Sequence, residues 1–254
     1  MKTLNLTKLT VVTGTLLTLA WNTRAGIAYN PDGTVSQNPH NFYLQSWNTD
    51  QSDPGAVCSV CHTPHNASAS AGPLWGHALS GNAYVMYSTA SPGASGFQAV
   101  SDNGGTQPSS GSLACLSCHD GTVAINAYGG SPGNGQTLAG TVYQIAQNGT
   151  DLSHSHPISI TYDPTLYSKD NGLNNPNSAV LTPANEPTFA YGSDMSINGF
   201  LLGGKYQLEC SSCHDVHNQE GTPWNTTSNP KLLKINGVDQ NGVGSLLCRS
   251  CHNK

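Results

Sequence analysis

Every cysteine in this chain stands in the same five-residue string. Cys-x-x-Cys-His occurs at Cys58, Cys61 and His62, at Cys115, Cys118 and His119, at Cys210, Cys213 and His214, and at Cys248, Cys251 and His252. These four copies use all 8 cysteines. No other feature restricts the fold so severely, because the string prescribes a covalent chemistry. Two thiols one helical turn apart reach the two vinyl groups along one edge of a porphyrin, and the histidine that follows lies under the iron. The spacing is the attachment signal of c-type haem. The sequence therefore predicts four covalently bound haem c groups, held by eight thioether cysteines and four proximal histidines.

Other uses of paired thiols fit less well. A zinc ribbon needs two Cys-x-x-Cys pairs per metal and gives no reason for histidine to follow every second cysteine. Thioredoxin-like chemistry needs one such pair near a βαβ pattern, and none is visible. A disulfide framework would not hold every cysteine to a single spacing.

The start of the chain has the form of a secretory signal. Lys2 and Lys8 precede an apolar run from Leu9 to Trp21, and Ala25 is a small residue suited to cleavage. The run is short and threonine-rich for a membrane span. Residues 1–25 are therefore expected to be a signal peptide, and residues 26–254 a single tetrahaem domain that is secreted and not membrane-spanning. An extracellular or cell-surface location is expected, with the periplasm as the alternative. Export agrees with the motif, since c-type haem is attached outside the cytoplasm. Without the signal, six basic residues face 14 acidic ones, which disfavours nucleic acid as a partner.

Only 9% of residues are charged, against an ordinary level of about 25%. The chain also carries 28 Gly and 15 Pro. Alone, such a composition points to disorder. Porphyrins change that expectation, because they supply large apolar faces and tie distant segments together. The expected fold is mostly irregular: a loop-rich multihaem cytochrome c with short helices at the motifs, a few short strands, and a core built by haems. Segments beginning at Gly111 and Gly244 lead helix-like into motifs 2 and 4. Weak alternation predicts strands at 141–146, 157–162 and 205–209.

Each iron needs a sixth ligand or an open site, and that choice separates electron transfer from catalysis. Six histidines lie outside the motifs: His40, His65, His77, His154, His156 and His217. They suffice for bis-histidine ligation throughout. His65 and His217 each follow a proximal histidine by three residues. They cannot bind the same iron from the same face, but they can reach a neighbouring one. His156 precedes a proline and is extended, so it is favoured over His154. Between His40 and His77 the residues leave the choice open. Met86 and Met195 are read as packing residues.

Four strings carry a family resemblance. They are Cys58-Ser-Val-Cys61-His62-Thr-Pro-His65-Asn66, Cys115-Leu-Ser-Cys118-His119-Asp-Gly-Thr-Val-Ala124, Ser155-His-Pro-Ile-Ser-Ile-Thr-Tyr-Asp163 and Cys210-Ser-Ser-Cys213-His214-Asp-Val-His217-Asn218. The chain resembles the secreted tetrahaem cytochromes of metal-reducing bacteria, and among them the OmcE-type extracellular cytochrome nanowires. The resemblance implies extracellular electron transfer by a head-to-tail homopolymer, fed by upstream redox cytochromes. It implies four stacked bis-histidine haems, with one axial histidine crossing to a neighbouring subunit. Carried over, the distal set is His40, His65, His156 and His217, with His77 and His154 as alternatives. His40 is the candidate for the crossing ligand. Two other functions remain: a soluble, monomeric periplasmic electron shuttle, and a multihaem reductase with one exchangeable site.

Overall fold

Irregular backbone dominates the structure, a computed structural model that describes residues 38–48, 54–98, 107–181, 195–217, 232–235 and 244–253. The expected signal peptide, residues 1–25, lies outside these residues. The described chain is loop-rich, with a few short helices and one small two-stranded sheet.

Three of the four motifs lie on α-helix. Helix α1 (Ser110–His119) carries motif 2, α3 (Cys210–Cys213) carries motif 3, and α4 (Leu246–Cys251) carries motif 4. Motif 1 differs. It is fed by a 3-10 helix, Pro54–Val60, and then closes with Cys61 N and His62 N donating to the Cys58 carbonyl at 3.1 and 2.8 Å. Pro54 and Gly55 are poor α-formers, and a 3-10 turn asks less of them.

Helix α1 buries Ser112, Ala114, Leu116 and Ser117. Small residues on its first turns allow close approach, and α1 packs directly on α3. The helix ends at Asp120, after which Gly121 takes φ +80°. That left-handed residue turns its N–H back to the Cys118 carbonyl at 3.0 Å, the usual use of glycine just past a helix end.

Two of the three expected strands pair, though briefly. Strand β1 (Ile160–Thr161) runs antiparallel to β2 (Gln207–Leu208), with Ile160 opposite Leu208 and Thr161 opposite Gln207. The third, 141–146, is a set of turns. Its Thr141 hydroxyl donates to Leu138 O at 2.7 Å and accepts from Tyr143 N at 3.2 Å. These local bonds take the backbone groups a ladder would need, and Val142 stands 91% exposed. Helix α2 (Pro164–Lys169) was not anticipated. Its start is legible all the same, because Asp163 caps Leu166 N at 2.8 Å and proline occupies the first turn.

Among the described residues, apolar side chains gather in two small clusters. One lies by motifs 3 and 4 and includes Ile160, Tyr162, Ile197, Leu201, Ile235 and Leu246. The other lies by motif 2 and comprises Tyr84, Met86, Leu116, Ala146 and Leu152. Met86 is buried there, and Met195 packs against the first cluster. Among the described residues, no helix is long and apolar enough to cross a membrane.

Gly121 offers a test of this framework. A Cβ at that position would meet the Gln144 side chain at 2.9 Å and the Ala139 Cα at 3.0 Å. Gly121→Ala should therefore destabilise the folded protein by about 1–3 kcal/mol, read as a lower denaturant midpoint.

Candidate metal centres

Behind motifs 1, 3 and 4 the backbone repeats one device. The second cysteine's carbonyl accepts an N–H, and the residue after the histidine donates to a carbonyl two positions earlier on the same opposing segment. In motif 1, Gly76 N donates to Cys61 O and Thr63 N to Leu74 O, both at 2.8 Å. In motif 3, Lys234 N donates to Cys213 O and Asp215 N to Leu232 O, both at 2.8 Å. In motif 4, Asn174 N donates to Cys251 O at 2.7 Å and Asn253 N to Gly172 O at 3.1 Å. Antiparallel bridges thus join His62 to Trp75, His214 to Leu233 and His252 to Leu173. Motif 2 is pinned differently, by Ile145 N donating to His119 O at 2.8 Å.

The same segments orient imidazoles. His62 Nδ1 lies 3.1 Å from Pro73 O, and His119 Nδ1 lies 2.8 Å from Tyr143 O. A carbonyl can only accept, so the proton is on Nδ1 and the Nε2 lone pair is left for a metal. His156 Nδ1 is held likewise by Pro157 O at 2.9 Å.

Three histidine pairs face one another. His62 and His217 have ring centres 6.2 Å apart with planes at 16°. His119 and His40 are 6.0 Å apart at 51°, and His252 and His156 are 6.1 Å apart at 77°. A metal–imidazole bond is about 2 Å, and the ring centre lies about 1 Å behind the nitrogen, so two imidazoles on one metal have centres about 6 Å apart. Each pair joins a proximal histidine to one of the distal candidates.

Further observations bear on whether the residues fit haem. Burial, and then the neighbouring His119, His214 and His217, pushes the His40 imidazole down to about 4, which keeps it neutral as a ligand must be. Among the described residues the buried Nδ1 of His40 and Nε1 of Trp75 have no hydrogen-bond partner, a cost of about 1–3 kcal/mol each unless a further group supplies one. Burial is also the main cause that pushes the Cys61, Cys118 and Cys251 thiols up to about 12. A thioether carries no charge and loses nothing in such surroundings. The residues fit haem. Among the described residues no group of three or more His, Cys, Asp and Glu is arranged to hold a metal ion.

The motif sulfurs follow one another in chain order. Cys61 lies within electrostatic reach of Cys118, Cys115 of Cys210, and Cys213 of Cys248 and Cys251. Motif 1 thus adjoins motif 2, motif 2 adjoins motif 3, and motif 3 adjoins motif 4.

The other histidines stand apart from these pairs. His77 is buried, with Nδ1 2.9 Å from Ala78 O and Nε2 3.3 Å from Ile125 O and 3.4 Å from Cys118 Sγ. Exposed His154 lies 3.9 Å from the Asp151 carboxylate. His65 is exposed on the turn after motif 1. His214, the proximal histidine of motif 3, belongs to the bridge with Leu233. His40, the candidate for a crossing ligand, lies beside His119 of its own chain.

The orienting carbonyls were not anticipated from sequence. One trace of them exists: Leu74 and Leu232 occupy the same place in two bridges, both left-handed, at φ 57° and 54°. Leucine there costs about 1–2 kcal/mol, so the bridge outweighs local preference.

Ring orientation gives a spectroscopic test. Near-parallel imidazole planes split the iron d orbitals rhombically, while near-perpendicular planes leave two of them almost degenerate. Low-temperature EPR of the oxidised holoprotein should contain a rhombic low-spin species from His62–His217 and a strongly anisotropic one from His156–His252. His217→Ala should delete the first and His156→Ala the second, each with a gain of high-spin iron. No family model, curated protein or solved structure matches the chain.

Proposed function

We propose that this protein is an electron carrier of the multihaem cytochrome c type, with four covalent haems, and that it works outside the cytoplasm. The observation that carries this reading is the 6.0–6.2 Å separation of three histidine pairs, each containing a motif histidine. When bound, haem iron exchanges single electrons between its ferric and ferrous states.

The chain's own residues have three tasks. Eight thiols would tether the groups. Paired imidazoles, His62 with His217, His119 with His40 and His252 with His156, would hold the iron at motifs 1, 2 and 4, leaving no exchangeable position of the kind a reductase needs and favouring low potentials. The backbone bridges hold the rings so that they do not reorganise when charge changes. Sulfurs that adjoin one another from motif 1 to motif 4 support a linear path rather than four isolated centres. Electrons would enter from upstream redox cytochromes.

The polymeric form rests on the resemblance and on His65. With His40 beside His119 of its own chain, the exposed His65 is the distal candidate best placed to reach a neighbouring subunit. A contact between two different surfaces, repeated without closing, builds a filament. The soluble periplasmic shuttle would use the same residues without that contact.

Two measurements test these levels separately. A pyridine haemochrome assay with iron analysis should give four haems per chain, and fewer than three would end the haem reading. Negative-stain microscopy of secreted protein should show filaments that His65→Ala abolishes, with the His62–His217 EPR species retained. Monomers in the wild type would leave the shuttle as the function.

A further inference from the structure

Between motifs 2 and 3 lies a polar cluster that ligation does not use. Glu209 is the residue before Cys210 and the N-cap of α3. Its carboxylate accepts from the Ser109 and Ser112 hydroxyls at the start of α1, and from the Ser159 hydroxyl at 3.3 Å. Ser159 is fully buried, left-handed at φ 55°, and accepts from Ser109 N at 2.9 Å. Ser112 Oγ also accepts from Cys210 N at 3.2 Å, while Glu209 N donates to Ser212 Oγ at 2.9 Å. One side chain therefore joins the first turn of the motif 2 helix, the residue before β1, and the first turn of the motif 3 helix.

The cluster stands where the two motifs meet. Helices α1 and α3 pack on each other there, and Glu209 directly precedes Cys210. A Cβ on Gly111 of α1 would lie 4.0 Å from Glu209 Cγ, so α1 has no side chain between itself and the glutamate stem. Serine hydroxyls are modest donors on a surface, but three converging on one half-buried carboxylate fix its position and that of both helices. A fixed negative charge between motifs 2 and 3 would favour the oxidised, more positive state of the haems they carry.

We propose that Glu209 is a positioning residue that locks motifs 2 and 3 together and, through its charge, lowers the reduction potentials of the two haems they carry. This rests on the haem reading above and adds to it a residue that touches no iron.

The experiment is spectroelectrochemical titration of full-length holoprotein, with haem content measured on the same samples. Glu209→Gln keeps the shape and removes the charge. It should shift two of the four midpoints to higher potential and leave the other two in place. Glu209→Asp should return both toward wild type, since it restores the charge and retracts the oxygens by one methylene. Four unmoved midpoints in Glu209→Gln, or four that move together, would overturn the proposal. If Glu209→Gln fails to load four haems, Ser112→Ala decides. It removes one donor and keeps the charge, and it should move the same two midpoints by less; unmoved midpoints would overturn the proposal. A wild type without haem sinks the functional reading, whereas a four-haem wild type with indifferent variants sinks only the role of Glu209.

Discussion

Two backbone hydrogen bonds, repeated behind three of the four motifs, fix where the proximal imidazoles stand. They link the second cysteine and the residue after the histidine to one opposing segment. In motif 1 a carbonyl of that segment also takes the Nδ1 proton, which sets the tautomer and aims the ring. The cost is visible in Leu74 and Leu232, both left-handed. A short helix alone would place a histidine but not hold it, because α3 and α4 are four and six residues long and too short to persist unaided.

The rest of the chain is organised around these anchored rings. Two small apolar clusters flank the motifs, and neither is a core in the usual sense. Glycine, proline and short polar residues form the connections, and the sheet has two-residue strands. In such a chain the entropy cost of order is high and internal burial is low. The covalent tethers and axial bonds proposed for the haems would offset that cost, as disulfides do in small secreted domains. Loose composition and defined ligand geometry are then compatible.

Sequence carried the local chemistry and lost the long-range pairing. The four motifs are legible because their cysteines and histidines stand at fixed spacing. His217 facing His62, or His40 facing His119, depends on how loops return, which no spacing encodes. His40 and His77 look equivalent as residues, yet His77 has carbonyls at both ring nitrogens and His40 has a proximal ring before it. The alternation at 141–146 misled because Thr141 bonds its own turn. Its carbonyl at Tyr143 nonetheless orients His119, a task invisible to any pattern of side chains.

The most direct test is an experimental density map of the secreted holoprotein. It should place one iron between His62 and His217, one between His119 and His40, and one between His252 and His156. Irons ligated instead by His77 or His154, or ring pairs with no metal between them, would contradict the account.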